Sequence, residues 1–250
     1  MTNSYILCAT PRTGSTLLCD LLTRCGLGAP DSYFMEDMDP AWAAELGMPV
    51  AGDAATPDEA RAILDAGIRA GRNGGDTFGL RLMRSSLPRL CALIDLVHPG
   101  LATEAARLRS AFGDPLFLYL RREDKLAQAV SMVRAEQTGL WHVAPDGSEL
   151  ERLAPPQDPV YDAPRIAAKL AELTGHDAAW GDWFAREGVT PFPISYEALS
   201  ADPAGTIGRI CDALGQARPP DGHLQPGVAR LADATSRDWM RRFREANPGV

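Results

Sequence analysis

The sequence has few cysteines, no long apolar run and almost no lysine, and each shortage excludes a class of protein. No window approaches the roughly 18 consecutive apolar residues that indicate a membrane-spanning helix, and residues 1–5 lack the basic segment that begins a signal peptide. The five cysteines form no CxxC pair, which argues against a disulfide framework and against a zinc site. We therefore expect a cytoplasmic protein without a membrane span and without a bound metal.

The basic residues are nearly all arginine, and acidic residues outnumber them. The 250-residue chain carries 33 acidic and 25 basic side chains, a net charge of −8, and its only lysines are Lys125 and Lys169. This balance is opposite to that of a general nucleic-acid binder, so we expect no nucleic-acid partner. An acidic protein that binds an anion needs a local group of cations beside backbone N–H donors, and arginines are the candidates for that group.

Short apolar runs alternate with amphipathic segments along the chain. The runs that predict buried strands are residues 4–9, 77–83, 116–120 and 191–196. The segments that predict helices are 15–24, 87–97, 123–137 and 165–186, with further helices starting near 56 and 203. The alternation predicts one α/β domain over residues 1–250, a P-loop-type three-layer α/β/α sandwich with a largely parallel central sheet. Residues 143–164, rich in proline and aspartate, are predicted to form a long surface loop.

The segment between the first predicted strand and the first predicted helix is similar to a phosphate-binding loop. In the pattern GxxxxGK[ST], Gly14 takes the place of the second glycine and Thr16 that of the hydroxyl residue, whereas Ala9 replaces the first glycine and Ser15 the lysine. Backbone N–H groups at a helix N-terminus still form an anion cradle, and Arg12 is the cation inside the loop. Arginine in place of lysine indicates a ligand other than ATP. The alternative is an ordinary strand–turn–helix in which Ser15 and Thr16 cap the helix.

Arg122 and Ser131 are candidates for holding a second anionic group. Arg122 follows the strongest predicted strand, and Ser131 lies on the next predicted helix. At 1.5 Å per residue the helix places Ser131 about 12 Å further along its axis. A long arginine side chain and a hydroxyl so arranged can clamp a phosphate from two sides. Taken alone, Arg122 is equally well explained as a solvated charge at the end of a strand.

With these motifs the sequence resembles the sulfotransferases that use 3′-phosphoadenylyl sulfate. Residues 10–16 resemble their loop for the 5′-phosphosulfate, residues 118–131 resemble their 3′-phosphate motif, and residues 194–203 resemble another recurrent segment of the superfamily. Further stretches, among them 128–131 and 180–184, narrow the resemblance to the bacterial trehalose 2-sulfotransferase family. The similarity covers nearly the whole chain in order.

The resemblance implies direct, in-line transfer of a sulfuryl group from 3′-phosphoadenylyl sulfate to a hydroxyl of a carbohydrate or lipid-linked acceptor such as a glycolipid, with no metal. Arg12 would then bind the donor and also stabilise charge on the bridging oxygen. The implied donor-binding residues are Arg12, Thr13, Gly14, Ser15, Thr16, Arg81, Arg122 and Ser131. Because family members can be dimers, a homodimer is one expected state.

Two residues expected to face the acceptor differ from those of the family. The family has a glutamate, its proposed base, where Ser32 stands here, and a sugar-binding glutamine where Pro11 stands. Because serine cannot act as a base at neutral pH without help, Asp31, Glu36 and His142 are the candidates for the base. The residues expected on the acceptor side are Ser32, Tyr33, Phe34, Trp42, Trp141 and His142.

Two other functions fit parts of the sequence. A P-loop kinase would share the loop, but Ser15 occupies the lysine position and no convincing Walker B strand ending in aspartate is present. A catalytically inactive nucleotide-binding protein would explain the change at Ser32. Binding of adenosine 3′,5′-bisphosphate without binding of ATP distinguishes a sulfotransferase from the kinase, and sulfate transfer from a labelled donor excludes the inactive protein.

Overall fold

The computed structural model describes residues 4–49, 56–218, 224, 227 and 233–248. The strands are β1 Ser4–Ala9, β2 Phe78–Met83, β3 Leu116–Arg121, β4 Leu140–Val143, β5 Glu149–Arg152 and β6 Phe192–Ser195. The helices are α1 Ser15–Arg24, α2 Pro40–Glu45, α3 Pro57–Arg72, α4 Leu87–Val97, α5 Glu104–Phe112, α6 Lys125–Thr138, α7 Ala163–Glu187, α8 Tyr196–Ala201, α9 Pro203–Leu214 and α10 Ala234–Ala246.

The central sheet contains four parallel strands in the order β2-β1-β3-β6. Strand β1 lies inside the sheet, where Ile6 is in register with Leu80 on one side and with Phe117 on the other. Every residue of β1 is buried, because a central parallel strand is covered on both faces. The parallel order brings the carboxyl ends of the four strands to one edge, so the segments that follow them meet there.

Helices cover both faces of this sheet. On one face Tyr5 and Leu7 pack with α1, α8 and α9. On the other face Ile6 and Cys8 pack with α3, α4, α5 and α7. Within the described ranges, no helix is both long enough and apolar enough to cross a membrane. The predicted three-layer α/β/α sandwich with a largely parallel sheet is confirmed.

Several helices begin and end in the structure where local sequence signals predict. The Glu59 N–H donates to Thr56 Oγ1 at 3.3 Å, and the Thr56 N–H donates to the Glu59 carboxylate at 2.7 Å. This reciprocal capping box begins α3. Helices α1 and α4 span Ser15–Arg24 and Leu87–Val97, as predicted.

The structure differs from the prediction of one long loop over residues 143–164. That segment contains strand β5, which pairs antiparallel with β4 and sets Glu151 opposite His142. A tight turn with Gly147 at φ 86° joins the two strands. Both strands are four residues long and at least partly exposed, so they show none of the apolar alternation by which a strand is recognised.

Helix α10 packs against α6 through a third apolar cluster. Trp239 and Phe243 are buried there beside residues of α6 and α7. The Arg134 guanidinium of α6 pairs with the Asp233 carboxylate at 2.7 Å, just before α10 begins. The C-terminal helix is therefore held to the element that carries Ser131.

Candidate active site

The loop between β1 and α1 lies at the carboxyl edge of the sheet in a conformation that few residues allow. Gly14 has φ 82° and Arg12 has φ 62°, in the left-handed region where a residue with a side chain is strained. A Cβ on Gly14 would lie 2.5 Å from Tyr196 Cδ2, so the tyrosine ring leaves room only for glycine. Thr13 is buried, and its Oγ1 donates a hydrogen bond to the Thr10 carbonyl at 2.8 Å.

A buried glutamine holds this loop from behind. Gln128 Nε2 donates to the Pro11 carbonyl at 2.6 Å and to Thr10 Oγ1 at 3.0 Å. Lys125 Nζ donates to Gln128 Oε1 at 3.0 Å and forms an ion pair with Asp177 of α7. The loop is thereby tied to α6 and α7. The sequence does not predict this role of Gln128. The available signal is that Gln128 belongs to the stretch 128–131, which resembles the family.

Arg12, Arg122 and Ser131, which are distant in sequence, meet beside the loop. Arg12 Nε donates to Ser131 Oγ at 3.0 Å, and its Nη1 donates to the Trp141 carbonyl at 2.8 Å. Arg122 Nη1 donates to the Arg12 carbonyl at 3.3 Å. Burial and the nearby charge of Arg122 lower the pKa of Arg12 to about 10, so Arg12 is charged at neutral pH. Two cations held this close favour an anion beside them.

The segment after β6 fixes the direction of Arg122. The Arg122 guanidinium lies over the Tyr196 ring, 4.7 Å from its centroid. The Glu197 carboxylate accepts hydrogen bonds from the Glu123 N–H at 3.1 Å and from the Asp124 N–H at 3.4 Å. These bonds hold the backbone directly after Arg122. Sequence reasoning noted this segment only as part of the resemblance and gave its residues no role.

Arg81 connects the start of α1 to the segment that carries Ser32. Its Nε donates to Ser32 Oγ at 2.9 Å and its Nη1 donates to Thr16 Oγ1 at 3.2 Å, while its Nη2 forms an ion pair with Asp31. Asp31 Oδ1 also accepts the Ser32 N–H at 2.7 Å. These bonds indicate that Asp31 holds Arg81 in place, and they argue against Asp31 as the base.

The β4–β5 hairpin contacts the first turn of α1 through His142. His142 Nε2 lies 3.1 Å from Thr16 Oγ1 and 3.3 Å from Glu151 Oε2. Burial, together with the charges of Arg12 and Arg81, lowers the pKa of His142 to about 4, so the imidazole is neutral at neutral pH. Burial raises the pKa of Glu151. The sequence predicts a role for His142 but none for Glu151, because the sequence does not predict the hairpin that carries Glu151.

These groups line one cavity of about 980 Å³. The predicted site residues in its lining are Arg12, Gly14, Ser15, Thr16, Asp31, Ser32, Trp42, Arg81, Arg122, Ser131, Trp141 and His142. Ser236 and Met240 of α10 also line it, so the C-terminal helix reaches the site. The fold therefore brings the candidates for the donor side and for the acceptor side into a single space.

Four predicted site residues are outside the lining of this cavity. Phe34 is 2% exposed and belongs to the hydrophobic core, so the structure assigns this large apolar ring to packing and not to the acceptor site. Tyr33 is buried behind Trp42, with the two ring centroids 6.0 Å apart. Glu36 is exposed to solvent, and Thr13 is buried beneath the loop.

The fold and the cavity define the class of protein. It is a three-layer α/β protein with a parallel sheet and an arginine-lined cavity at the carboxyl edge of that sheet, the edge at which open α/β sheets bind ligands. In the part of the chain that the structure describes, no group of three or more histidine, cysteine, aspartate or glutamate side chains is placed to hold a metal ion.

Comparison with known proteins identifies the family. The family model described as Stf0 sulphotransferase matches residues 4–246, so the chain belongs to the Stf0 sulfotransferase family. The trehalose 2-sulfotransferase of Mycobacterium tuberculosis is 31% identical over 269 residues, covering 98% of this chain and 95% of that protein. The trehalose 2-sulfotransferase of Mycolicibacterium smegmatis is 30% identical over 264 residues, covering 96% and 94%. A solved sulfotransferase structure from Alicyclobacillus acidocaldarius has a TM-score of 0.43 and 16% identity, covering 98% of this chain and 92% of that one.

Proposed function

We propose that this chain transfers a sulfuryl group from 3′-phosphoadenylyl sulfate to a hydroxyl of a carbohydrate or glycolipid. The observation that carries the proposal is the loop of residues 10–16, which has a left-handed Gly14, a serine where ATP-binding loops have their lysine, and Arg12 as its cation. Membership of a sulfotransferase family supports the transfer of sulfate, and relatives that act on trehalose support a carbohydrate acceptor.

The cavity offers a group for each anionic part of this donor. The loop N–H groups that precede α1 favour a negative charge, because the N-terminus of a helix is electropositive, and they would hold the 5′-phosphosulfate with Arg12. Arg122 and Ser131 would hold the 3′-phosphate, as the resemblance implies. A Cβ at Gly14 would lie 2.5 Å from a ring carbon of Tyr196, so glycine lets the loop pack against the ring over which Arg122 lies. When bound, the donor supplies the sulfuryl group.

The reaction exchanges one sulfur–oxygen bond for another. The acceptor oxygen attacks sulfur in line, the bond from sulfur to the bridging oxygen breaks, and adenosine 3′,5′-bisphosphate leaves. The hydroxyl proton passes to a base. Negative charge grows on the bridging oxygen, and Arg12 with the loop N–H groups would stabilise it. A preorganised hydrogen-bond donor of this type contributes about 3 kcal/mol to lowering the barrier.

The acceptor side of the cavity suits a sugar ring. Trp42 and Trp141 line it, and aromatic faces with a few polar groups are typical of small-molecule sites. Ser32 and Pro11, which replace two functional residues of the trehalose family, are both in the lining. We therefore propose an acceptor in the carbohydrate class, with trehalose as one member of the set to be tried.

Calorimetric titration with adenosine 3′,5′-bisphosphate and with ATP, each in EDTA and in magnesium, tests the donor assignment. We expect tight binding of the bisphosphate that does not depend on magnesium, and weaker binding of ATP. Arg122→Ala is expected to bind the bisphosphate about 10- to 100-fold more weakly, whereas Arg109→Ala, a change at an exposed arginine of α5, is expected to keep the wild-type affinity. Preference for Mg-ATP would identify a kinase-like enzyme, and binding of neither nucleotide would overturn the proposal.

A further inference from the structure

Sulfuryl transfer needs a base for the acceptor proton, and Ser32 cannot supply it. Ser32 Oγ accepts a hydrogen bond from Arg81 Nε at 2.9 Å, and a neutral hydroxyl is too weak a base to act unaided. Asp31 is bound to Arg81 and to the Ser32 backbone. Glu36 is exposed and outside the cavity lining. Asp37 and Asp39 line the cavity; Asp39 Oδ1 accepts the Ala41 and Trp42 N–H groups at the start of α2, and the exposed Asp37 is the rival carboxylate. The β4–β5 hairpin offers another carboxylate in the cavity lining, that of Glu151.

We propose that Glu151 is the general base of the reaction and that His142 positions its carboxylate. This inference rests on the sulfuryl transfer proposed above. It gives a catalytic task to a residue of the hairpin and explains how a chain with Ser32 in the glutamate position of its family retains a base.

The register of the hairpin places the two side chains together. His142 on β4 is opposite Glu151 on β5, and residues directly opposite in an antiparallel pair have neighbouring side chains. His142 Nε2 lies 3.3 Å from Glu151 Oε2 and 3.1 Å from Thr16 Oγ1, which is in the first turn of α1. The Glu151 carboxylate and the Thr16 hydroxyl therefore contact the same ring nitrogen, beside the loop that would hold the phosphosulfate. Glu151 lines the cavity, and its side chain is 45% exposed, so an acceptor hydroxyl has access to it.

The neutral imidazole favours one tautomer. The Thr16 hydroxyl can donate to His142 Nε2 or accept from it, whereas the ionised Glu151 carboxylate can only accept, so the tautomer that suits the carboxylate carries its proton on Nε2. In that tautomer the Nε2–H group lies 3.3 Å from Glu151 Oε2 and would hold the carboxylate in place electrostatically. Oε1 is the oxygen that would accept the proton of the acceptor hydroxyl.

The charges around Glu151 suit this task. Burial raises its pKa and so does Asp31, while Arg81 and Arg12 lower it, and the net shift is upward. His142 is neutral and adds no charge. A carboxylate whose pKa is closer to neutral is a better match for general base catalysis. Negative charge of a bound donor beside Arg12 would offset the lowering contributions, so the base becomes stronger when the donor is present.

The step balances without a further reactant. The O–H bond of the acceptor breaks and its proton passes to Glu151 Oε1, the bond from the acceptor oxygen to sulfur forms, and the bond from sulfur to the bridging oxygen breaks. Nothing is oxidised or reduced. The protonated Glu151 returns its proton to solvent through the open side of the cavity.

Glu151→Gln tests the base directly. We expect kcat to fall about 10²- to 10⁴-fold, the acid limb of the kcat profile to disappear, and Glu151→Asp to restore part of the rate. Binding of adenosine 3′,5′-bisphosphate, measured by calorimetry without turnover, is expected to be unchanged or tighter, because the substitution removes a negative charge near Arg12 and Arg81. Glu149→Gln, on the same strand but paired with Arg152, is the matched control and is expected to keep the wild-type rate.

The positioning role of His142 has its own readout. His142→Ala removes an N–H that stabilises the ionised carboxylate, so the acid limb of kcat is expected to move to higher pH, a shift that a purely structural role would not cause. A wild-type kcat in Glu151→Gln would overturn the inference, as would loss of kcat in Asp37→Asn with Glu151→Gln unaffected. If the wild-type protein binds no bisphosphate, the proposed function itself has failed, and that result is distinct from both.

Discussion

Replacing Gly14 with alanine tests whether the loop and Tyr196 are fitted to each other. Gly14 has φ 82°, and a Cβ there would lie 2.5 Å from Cδ2 and 3.0 Å from Cε2 of Tyr196. The left-handed backbone costs a non-glycine residue about 1–2 kcal/mol, and forcing a methyl group into a packed site costs about 1–3 kcal/mol more. We therefore expect Gly14→Ala to lower the free energy of unfolding by about 2–5 kcal/mol and to displace the ring over which Arg122 lies.

Gly26→Ala is the matched control for this change. Gly26 has φ 71°, and no heavy atom of the described chain lies within 4 Å of its Cβ position, so only the backbone cost of about 1–2 kcal/mol applies. Urea unfolding of both variants separates the two contributions, and bisphosphate calorimetry shows whether the loop still binds. Gly14→Ala is expected to be the less stable variant and to lose affinity. Equal stability of the two variants with wild-type affinity in both would refute the fit of the loop to Tyr196.

Arg12→Ala and Arg122→Ala are each expected to weaken bisphosphate binding about 10- to 100-fold, because each removes a charge-assisted hydrogen bond; wild-type affinity of both variants in calorimetry would mean that the donor site is elsewhere. Gln128→Leu removes the donor that reaches the Pro11 carbonyl at 2.6 Å, so we expect the free energy of unfolding to fall by about 1–3 kcal/mol and the bisphosphate affinity to fall with it. Unchanged urea unfolding and unchanged calorimetry would contradict the role of Gln128. The ring of His142, whose pKa burial lowers to about 4, is expected to show constant NMR shifts from neutral pH down to about pH 5.5. Because that pKa is below its value in the unfolded chain, the contribution of His142 to stability is complete above about pH 6.5 and is lost as the pH falls further; a folded-state midpoint near 6.5 would contradict the burial.

Most of the fold could be predicted because its elements carry local signals. Strands β1 and β3 are uninterrupted apolar runs, and both are central in the sheet. Thr56 and Glu59 mark the start of α3 by a mechanism that acts within four residues. The β4–β5 hairpin has no such signal, because both strands are four residues long and at least partly exposed, and β5 is polar. The hairpin forms through pairing between the two strands, and the pattern of apolar residues in the sequence does not reveal that pairing.

The site could be predicted where a motif reflects backbone geometry. The loop around Gly14 and the position of Arg122 belong to such motifs, and the structure brings them together. Glu151 depends on strand register, which the sequence pattern did not show. The family resemblance predicts Phe34 on the acceptor side, and an aromatic pair looks the same in sequence whether it faces a cavity or the core. Its ring instead fills the space beside Gly67, where a Cβ would lie 2.5 Å from Phe34 Cζ.

The function proposed for this chain is the transfer of sulfate from 3′-phosphoadenylyl sulfate to a sugar hydroxyl. The most direct measurement is to incubate the protein with donor labelled with radioactive sulfur and with a panel of trehalose, other sugars and glycolipids, in EDTA, and to count label in each acceptor. We predict labelled product from at least one carbohydrate or glycolipid, lost in Arg12→Ala and retained in Arg109→Ala. Absence of labelled product from every acceptor, by a protein that still binds the bisphosphate, would contradict the claim and indicate a nucleotide-binding protein without catalysis.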